Sequence, residues 1–572
     1  MIDYKVQIAQ IIAKQEIGLT AEEIVEMIEV PADSKNGDFA FPCFRLAKAM
    51  RKAPQMIAAD IATAIEAESI FEKVEQVNAY VNMFICKDVF VRNVVSEVAS
   101  RGSEYGKSDV GEGKKVIVEF SSPNIAKPFH IGHIRSTVIG NSIYKLYDAT
   151  GYDVVRINHL GDYGTQFGKM IVAYRLWGNE EELEQNPIKS LLKYYTKFHE
   201  EAEKDPSLDD KARETFVRLE NGEPEEVELW KRFRELSLEE FNRVYKMLDI
   251  EFDSYAGESF YSDKMPAVLQ ELKDKNLMHE SRGAQIVDLE EYGMPPAVIT
   301  KSDGSSLYAT RDIAAAIYRK QHYDFYKNIY VVATQQNLHF KQWKQVLALM
   351  GYSWEKDCIH VPFGLVSLEE GTMSTRKGRV VFLEDVLNKA VEKTREIISE
   401  KNTSGIDIDE ISKEVGIGAV IFQELSNNRI KDYVFSWDKI LNFDGETGPY
   451  VQYTHARASS VLRNASQQEL DRIKSCDIND FNYVASDSAY ELTKLIYRVP
   501  EVVREAAAKY EPSILTRHLI DIAQSFNRFY HDEHILVDNE EEKVAKLALV
   551  YASKVTIANC LAILGIKAPD KM

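Results

Sequence analysis

The feature that most constrains the fold is a strand–loop–helix–strand pattern that occurs twice in the sequence. The first copy has short apolar runs at 116–120 and 154–158, separated by a loop and an amphipathic helix over 131–150. The second copy has an apolar, β-branched run at 329–333 followed by a helix over 339–350. Such runs are typical of buried parallel strands, and the intervening helix provides the crossover. Two such units predict a doubly wound (Rossmann-type) parallel sheet, in which ligands bind at the carboxyl ends of the strands.

Two local patterns precede the second apolar run. Asp303-Gly304 is a hairpin sequence, so we expect it between two short strands. Thr310 is expected to cap a helix that continues to Arg319. This helix would then begin close to the carboxyl ends of the parallel strands.

The rest of the sequence divides into regions around this α/β catalytic domain, which we place at 111–400. Residues 1–110 combine alternating strand patterns with helices and predict a small N-terminal α/β domain. A charged, helical stretch at about 170–290 separates the two βαβ units and is interpreted as a helical insertion. A helical connector is expected at 401–440, and the successive amphipathic helices of 441–572 predict an all-α C-terminal domain.

Shorter patterns predict where individual helices begin. Thr20, three residues before a glutamate, is expected to open a helix through a capping box. Ser237 has the same spacing to a glutamate and is expected to cap a helix inside the insertion. Pro54 is expected to split the helical stretch 46–65 into two helices, because proline suits a first turn better than an interior.

Charge and cysteine content restrict the class of protein. The 572-residue chain has a formal net charge of −20, which argues weakly against a nucleic-acid partner, although a basic groove can lie on an acidic body. The five cysteines are scattered and never form a CxxC pair, so we expect no disulfide framework and no structural metal. The first residues lack the pattern of a secretory signal, and Lys554 and Asn559 interrupt the most apolar late stretch, 547–566. A cytoplasmic protein without a membrane partner is expected.

The segment 121–133 carries the clearest chemistry, because it joins a strand to a helix of the first βαβ unit. Backbone N–H groups and the helix dipole favour phosphate at such a position. His130 and His133 are three residues apart, so both imidazoles lie on one side of the first turn and can donate to phosphate oxygens. Gly132 between them has no side chain and allows an adenine to approach the backbone. A lone histidine is usually a core or surface residue, but two that flank a glycine here favour a nucleotide site.

His130-Ile131-Gly132-His133 matches letter for letter the HIGH signature of class I aminoacyl-tRNA synthetases, and the longer string 119–137 resembles arginyl-tRNA synthetases. The resemblance implies ATP-dependent activation of L-arginine to arginyl-adenylate and transfer to the 3′ end of tRNA(Arg), with release of AMP and pyrophosphate. It also implies ATP with Mg²⁺ as the substrate complex, a need for tRNA during activation, and a monomer. The residues that it assigns to ATP in this segment are Pro123, Asn124, Lys127, His130, Ile131, Gly132 and His133.

A second stretch, 371–378, resembles the KMSKS signature of the same class. It departs from that pattern, because Thr372 precedes the methionine and Thr375 stands where the second lysine would be. In the family, a lysine just upstream of HIGH is thought to replace the missing cation, and Lys127 occupies that place. A solvated basic turn is the alternative interpretation of the stretch. The residues that the resemblance assigns to ATP here are Met373, Ser374, Thr375, Arg376 and Lys377, of which Arg376 and Lys377 are candidate helpers of Lys127.

An arginine substrate requires carboxylates placed for paired hydrogen bonds to a planar cation. The stretch 307–312 resembles the arginine-binding element of the family, in which Tyr308 and Asp312 would take part. Glu119 and Asp312 would face the guanidinium. Taken alone, Asp312 could instead serve a helix N-terminus, and Tyr308 could be an ordinary strand aromatic. The full set that the resemblance assigns to arginine is Glu119, Ser122, Asn124, Tyr308, Asp312 and Gln336, with Asn124 and Gln336 at the α-amino and carboxylate end.

Both terminal domains resemble RNA-binding parts of the arginyl enzymes. The segments 452–457, 517–523 and 527–530 resemble the helical anticodon-binding domain, and residues 1–110 resemble the extra N-terminal domain that recognises the tRNA elbow. Each candidate alone is also compatible with a solvated surface residue or a core aromatic. The candidate tRNA contacts are Tyr453, Arg457, Arg463 and Arg504 in the C-terminal domain, and Phe39, Phe41, Tyr80 and Asn82 in the N-terminal domain.

Two other functions are compatible with part of these patterns. Small adenylyltransferases also carry a His-x-Gly-His on a βαβ unit, but they do not account for the 307–312 element or the all-α tail. A catalytically inactive relative that binds RNA for regulation is the other alternative. The presence of His130, His133, Lys127 and Asp312 together argues against it.

Overall fold

The computed structural model describes residues 3–31, 33–300, 308–368, 381–400, 407–442 and 445–572. The expected hairpin at Asp303-Gly304 and the second signature, 371–378 with Met373 to Lys377, lie outside the described residues, as does the side chain of Tyr308. The chain forms two compact units. Unit 1 comprises 1–105, 457–499 and 521–559; unit 2 comprises 106–456, 500–520 and 560–572.

The helices of the described residues are α1 (Tyr4–Ala13), α2 (Ala21–Met27), α3 (Leu46–Met50), α4 (Pro54–Ile65), α5 (Lys87–Arg101), α6 (Ile134–Ala149), α7 (Thr165–Trp177), α8 (Glu180–Gln185), α9 (Pro187–Ala202), α10 (Ser207–Glu220), α11 (Pro224–Met247), α12 (Met265–Asp274), α13 (Tyr308–Tyr323), α14 (Asn337–Leu349), α15 (Leu383–Glu400), α16 (Ile408–Ser426), α17 (Trp437–Ile440), α18 (Gly448–Leu462), α19 (Gln467–Ser475), α20 (Asp487–Lys509), α21 (Ser513–Asp532) and α22 (Glu540–Ile563). The strands are β1 (Phe39–Pro42), β2 (Phe71–Val77), β3 (Tyr80–Ile85), β4 (Lys115–Glu119), β5 (Asp153–Ile157), β6 (His279–Ser281), β7 (Ala284–Val287), β8 (Ala297–Thr300), β9 (Lys327–Ala333), β10 (Cys358–Phe363), β11 (Val366–Leu368) and β12 (Tyr433–Phe435).

The N-terminal part of unit 1 contains a three-stranded antiparallel sheet in the order β1-β3-β2. Phe41 and Met83 are fully buried in its core. The expected capping box is present, because the Thr20 side chain accepts from the backbone of Glu23 and the Glu23 carboxylate accepts from the backbone of Thr20. Pro54 opens α4 and separates it from α3, as expected.

The sequence patterns missed strand β2. Its sequence does not alternate, because Phe71 and Val74 are buried while most of the residues around them are exposed. The register shifts between Phe71 and Lys73, which breaks the period of two on which a strand prediction rests.

Unit 2 contains a parallel sheet in the order β10-β9-β4-β5. Glu119 is the last residue of β4 and pairs in register with Ile157 of β5 and Tyr330 of β9. The doubly wound arrangement is confirmed. The loops that follow β4 and β9 leave the same edge of the sheet, which is where such folds bind ligands.

The part of the chain that was expected to be a helical insertion contains α7 to α12, and also a small antiparallel sheet, β6-β7-β8, that extends to Thr300. The three strands are only three or four residues long. Runs this short give too little alternation for a strand prediction.

Two expected helix starts are wrong. Ser237 lies inside α11, where its hydroxyl donates to the carbonyl of Phe233 at 2.6 Å and accepts from the N–H of Ala126 at 2.8 Å. Thr310 lies inside α13, and its hydroxyl donates to the carbonyl of Ile299 at 2.8 Å. Both hydroxyls match a capping pattern, but they bind other backbone groups because each helix begins at an earlier residue.

A buried ion pair lies within unit 2. Arg135 and Glu424 are both 0% exposed, with Nε and Oε2 3.4 Å apart. Arg135 also donates to the carbonyls of Gly364 and Lys431, each at 2.8 Å, and the Tyr433 hydroxyl donates to Glu424. Burial raises the pKa of Glu424 to about 8, against the opposing effect of the Arg135 charge. A carboxyl group in the core therefore titrates near neutral pH.

Among the described residues, α22 is the one helix whose length and apolar composition would let it cross a membrane. Of its most apolar 18-residue stretch, 67% is buried inside the protein. Burial of this kind is typical of a core helix of a bundle, which is how the stretch was interpreted from its sequence.

Glu424→Gln is expected to flatten the pH dependence of thermal unfolding. In the native protein the raised pKa means that the stabilising contribution of protonated Glu424 is complete below the ordinary pKa of 4.5 and is lost as the pH rises through about 8. Glutamine does not titrate, so the apparent Tm of the variant should fall less between these pH values, whatever its absolute stability. Glu410→Gln, an exposed change on the same helix, is the control and should keep the native slope. Equal slopes in Glu424→Gln and the native protein would contradict this assignment.

Candidate active site

The loop after β4 has an unusual backbone. Ser121, Ser122 and Ala126 adopt positive φ angles of 68°, 47° and 57°, which residues other than glycine rarely adopt. The Ser121 hydroxyl bonds those of Thr137 and Tyr245, each at 2.8 Å. Strain of this kind persists where surrounding contacts over-determine it, and it clusters at functional sites.

Contacts from α11 hold the same loop from outside the sheet. Tyr245 and Ser237 both lie on this helix, and the Ser237 hydroxyl accepts from the N–H of Ala126 at 2.8 Å. The Tyr245 hydroxyl also accepts from Asn158 Nδ2 at 3.0 Å. The sequence interpretation missed both residues as part of the site, because they lie more than a hundred residues from the loop in the chain.

His130 and His133 lie together, with ring centroids 4.0 Å apart. Nδ1 of His130 accepts from the N–H of Gly132 at 3.1 Å, and Nδ1 of His133 accepts from the N–H of His130 at 3.1 Å. Nδ1 of His133 also lies 3.2 Å from the carbonyl oxygen of His130. In the tautomer in which each Nδ1 accepts, each neutral imidazole carries its proton on Nε2 and can donate from that nitrogen.

The two imidazoles are neutral at pH 7. Burial, and then the charge of Lys127, lower the pKa of His130 to about 4. Burial, and then His130, lower the pKa of His133 well below its ordinary value. His130 and His133 are thus neutral, and Lys127 is the cation whose charge acts on both. Their binding of phosphate stays a prediction.

The insertion contributes to this end of the site. The Lys127 ammonium lies 5.9 Å from the ring centroid of Tyr195 on α9. Six residues earlier on the same helix, the Lys189 ammonium lies 5.7 Å from the ring centroid of Phe382. Phe382 forms an antiparallel bridge with His130. Lys189 is a second cation near the first signature, and no motif in the sequence pointed to it.

The backbone of the His-Ile-Gly-His segment also pairs with residues that follow the second signature in the chain. The N–H of Ile131 donates to the carbonyl of Val381 at 3.1 Å, and the N–H of Leu383 donates to the carbonyl of Phe129 at 2.9 Å. These bonds tie 129–131 to 381–383. The backbone of the His-Ile-Gly-His segment is therefore joined directly to the residues that follow the second stretch expected to bind ATP.

Glu119 lies at the carboxyl end of β4 and is already paired inside the protein. Its Oε2 lies 2.6 Å from Nη1 of Arg319, and the two side chains are 8% and 0% exposed. The sequence suggested that Glu119 faces a substrate guanidinium; it did not suggest the protein's own guanidinium behind it. Only the second carboxylate oxygen, Oε1, remains for a ligand.

Asp312 lies in the second turn of α13 and is paired with His339 of α14, with Oδ2 and Nε2 2.5 Å apart. Burial lowers the pKa of His339, but the hydrogen bond and the charge of Asp312 outweigh burial, so its pKa is raised. His159, buried below them, feels the charges of both Glu119 and Asp312. Glu119 and Asp312 therefore both lie near His159, and their binding of arginine stays a prediction.

The remaining arginine-site candidates lie around the same strand ends. Asn124 is exposed and bridges to Gly161 through its backbone, and its Oδ1 lies so close that a Cβ on Gly161 would come within 2.4 Å of it. Gln336 is exposed at the end of a 3₁₀ turn that follows β9. The half-buried Ser122 hydroxyl donates weakly to the carbonyl of Phe120 at 3.4 Å. Tyr308 begins α13, which places its backbone one turn before Asp312.

The structure also reveals a charged cluster that the sequence interpretation missed. Arg311 pairs with Glu258 at 2.5 Å, and its guanidinium lies 5.1 Å from the ring centroid of Tyr163. Burial raises the pKa of Glu258 to about 7. Asp162 is fully buried and accepts from Arg234 Nε at 3.1 Å. The one available sign was the position of Arg311 directly before Asp312.

The candidate RNA contacts in the N-terminal domain differ in accessibility. Phe39 and Asn82 are buried, at 5% and 3% exposed, and Phe41 is fully buried. Tyr80 is half-buried and packs edge-on against Phe44, with ring centroids 5.2 Å apart. Tyr80 is thus the candidate whose ring reaches the surface, and an RNA contact by any of these residues stays a prediction.

The candidates in the C-terminal helices differ in their exposure. Arg457 donates to Asn527 and lies 5.4 Å from the ring centroid of Tyr530. Arg463 is exposed directly after α18, and Arg504 is half-buried on α20. The Tyr453 side chain is 37% exposed on α18. Their contacts with RNA stay predictions.

Comparison with known proteins gives full-length matches. Residues 94–437 match the family described as tRNA synthetases class I (R), catalytic domain; 451–572 match the DALR anticodon binding domain; and 3–85 match the arginyl tRNA synthetase N terminal domain. The arginine–tRNA ligase of Clostridioides difficile is 58% identical over 572 residues, and that of Halothermothrix orenii is 56% identical over 572 residues, with 100% of both chains covered in each case. The arginyl-tRNA synthetase structure of Thermus thermophilus is similar in fold, with a TM-score of 0.79 at 24% identity over 100% of both chains.

Proposed function

We propose how this chain, which belongs to the arginine–tRNA ligase family, assigns its residues to the two small substrates. His130 and His133 bind ATP, and Glu119 and Asp312 bind arginine. The enzyme is a class I aminoacyl-tRNA synthetase that activates L-arginine with ATP and transfers it to tRNA(Arg). Two groupings support this division of roles: His130 and His133 lie together beside Lys127, and Glu119 and Asp312 both lie near His159.

At the phosphate end, His130 and His133 donate from Nε2 to oxygens of ATP. The carboxylate of arginine attacks the α-phosphorus, pyrophosphate leaves, and negative charge grows on the phosphoryl oxygens. Fixed neutral donors stabilise this charge without prior reorganisation, and each is worth about 10²–10³ in rate. Lys127, which already lowers the pKa of His130, supplies the cation on the same side. No side-chain nucleophile takes part.

Mg²⁺ enters as part of the ATP complex. Among the described residues, no cluster of three or more His, Cys, Asp or Glu side chains is arranged to hold a metal ion. The phosphate end instead offers imidazole donors and lysine, which suit phosphate oxygens rather than Mg²⁺. In the ATP complex the triphosphate oxygens would hold the ion, and its charge would let an anionic carboxylate approach.

At the amino-acid end, Glu119 and Asp312 receive the guanidinium of arginine. Oε1 of Glu119 is the oxygen that the internal pair with Arg319 leaves over, and Asp312 is oriented by His339. Asn124 and Gln336, both exposed beside the loop ends, would bind the α-amino and carboxylate groups. A substrate without guanidinium N–H groups would give Glu119 and Asp312 fewer hydrogen bonds than arginine does, which is a basis for rejection.

For the second step, we assign RNA contacts to Tyr453, Arg457, Arg463 and Arg504 and to the N-terminal candidates led by Tyr80. Arg side chains bind phosphates and aromatic rings stack on unpaired bases. We further propose a monomer that works in the cytoplasm. A light-scattering mass of twice 65.3 kDa would overturn the monomer.

His133→Ala is expected to leave the fold intact and to lower kcat on the order of 100-fold or more, because a fixed donor to the transition state is removed. His133→Gln should retain more activity than His133→Asn, because the amide nitrogen of glutamine occupies the place of Nε2 and that of asparagine the place of Nδ1. ATP–pyrophosphate exchange with arginine and tRNA present is the measurement. His322→Ala, an exposed change on α13, is the control. Near-normal turnover of His133→Ala would remove this histidine from the mechanism.

Asp312→Ala is expected to raise KM for arginine by about tenfold or more while changing KM for ATP little, because a charge-assisted pair with the substrate is lost. The assay is again pyrophosphate exchange in the presence of tRNA, with arginine and ATP varied separately. Asp324→Ala, an exposed change just beyond α13, should leave both constants unchanged. Unchanged saturation by arginine in Asp312→Ala would refute the assignment.

A further inference from the structure

A buried cation lies directly behind Glu119. Arg319 is 0% exposed, and its Nη1 lies 2.6 Å from Oε2 of Glu119. A buried ion pair repays its desolvation only where its geometry is good and other hydrogen bonds complete it. The surroundings of the Arg319 guanidinium therefore indicate what the pair does.

The Arg319 guanidinium has polar and aromatic neighbours, and Nη1 meets Glu119 as an ion pair without a well-aligned hydrogen bond. Its Nε lies 3.4 Å from the hydroxyl of Tyr261, and Nη2 lies 3.3 Å from Nδ1 of His159. It also lies 5.8 Å from the ring centroid of Tyr261 and 5.6 Å from that of Tyr330. A guanidinium can only donate, so Nδ1 of His159 is the acceptor in this contact. These contacts restrict the orientation of the guanidinium.

The position of Arg319 on α13 relates it to the substrate pocket. Asp312 and Arg319 are seven residues apart, so they lie on one face of the helix, two turns from each other. Glu119 ends β4 between Ile157 and Tyr330 of the neighbouring strands. One helix face therefore supplies both a carboxylate of the pocket and the cation behind the other carboxylate.

We propose that Arg319 is a positioning residue that sets the selectivity of the pocket for arginine. It binds one oxygen of Glu119 and fixes the side chain, so that the other oxygen accepts from the guanidinium of the substrate. This inference rests on the role proposed above for Glu119. A lysine could keep the charge but not the planar fork that contacts Glu119, Tyr261 and His159 together.

The alternative is an ion pair that only stabilises the fold. In that case, changing Arg319 would lower the unfolding temperature but leave the arginine and ATP constants in their native ratio. A positioning role acts through Glu119 alone, so it must alter the constant for arginine and not that for ATP.

The test compares Arg319→Lys, Glu119→Gln and the double variant in pyrophosphate exchange with tRNA present. Arg319→Lys should raise KM for arginine by about tenfold or more, with KM for ATP unchanged within about twofold. Its preference for arginine over Nω-methyl-L-arginine should fall, because Oε1 of Glu119 is no longer held in one place. Lys320→Met, at the next position of α13 and paired with Asp324 outside the pocket, should match the native enzyme.

The double variant decides whether Arg319 acts through Glu119. Glu119→Gln with Arg319→Lys should bind arginine no worse than Glu119→Gln alone, because the interaction that Arg319 supports is already lost. Additive losses, or a native arginine constant in Arg319→Lys, would overturn the inference and leave the role of Glu119 standing. A native arginine constant in Glu119→Gln would overturn both. Arg319→Lys keeps both charges of the buried pair, so the comparison does not depend on a variant such as Arg319→Met. The two variants that carry Glu119→Gln leave a buried cation without its carboxylate, and a native Tm and a native KM for ATP show that they are folded.

Discussion

The active site depends on where β4 stops. Glu119 is its last residue and is held in register by strands on both sides. The next residues leave the sheet in a left-handed backbone conformation at Ser121 and Ser122, which buried hydroxyls stabilise. This turn separates a carboxylate that stays at the strand end from a pair of imidazoles that lie beyond it at the start of a helix. Two substrates of opposite charge can therefore be held a few residues apart.

Sequence reasoning worked where one period or one motif decides the structure. The apolar runs at 116–120 and 329–333 became β4 and β9, and the His-Ile-Gly-His segment lies where a phosphate-binding loop belongs. It failed where a local pattern had two uses. The hydroxyls of Ser237 and Thr310 match helix caps, yet they bind backbone groups of other segments. A capping pattern alone does not show this, because these partners lie outside the few residues that the pattern compares, as Ala126 does for Ser237.

The candidate site was predicted in part for the same reason. Glu119 and Asp312 follow from the resemblance, and both lie near His159 in the structure. Their partners did not follow, because Arg319 lies 200 residues from Glu119 and meets it only through the packing of α13 on the sheet. The seven-residue spacing from Asp312 to Arg319 was visible in the sequence. Without the fold, it was one of many charged pairs at helical spacing.

The contacts of α11 with the loop after β4 limit how the chain can be rebuilt. Ser237 and Tyr245 belong to the stretch between the two βαβ halves, yet their hydroxyls complete the backbone support of the loop at Ala126 and Ser121. The stretch is therefore not a detachable module. Excising the stretch to shorten the enzyme would remove the hydrogen bonds that support the loop after β4. Grafting the His-Ile-Gly-His segment onto another protein would require those two hydroxyls as well.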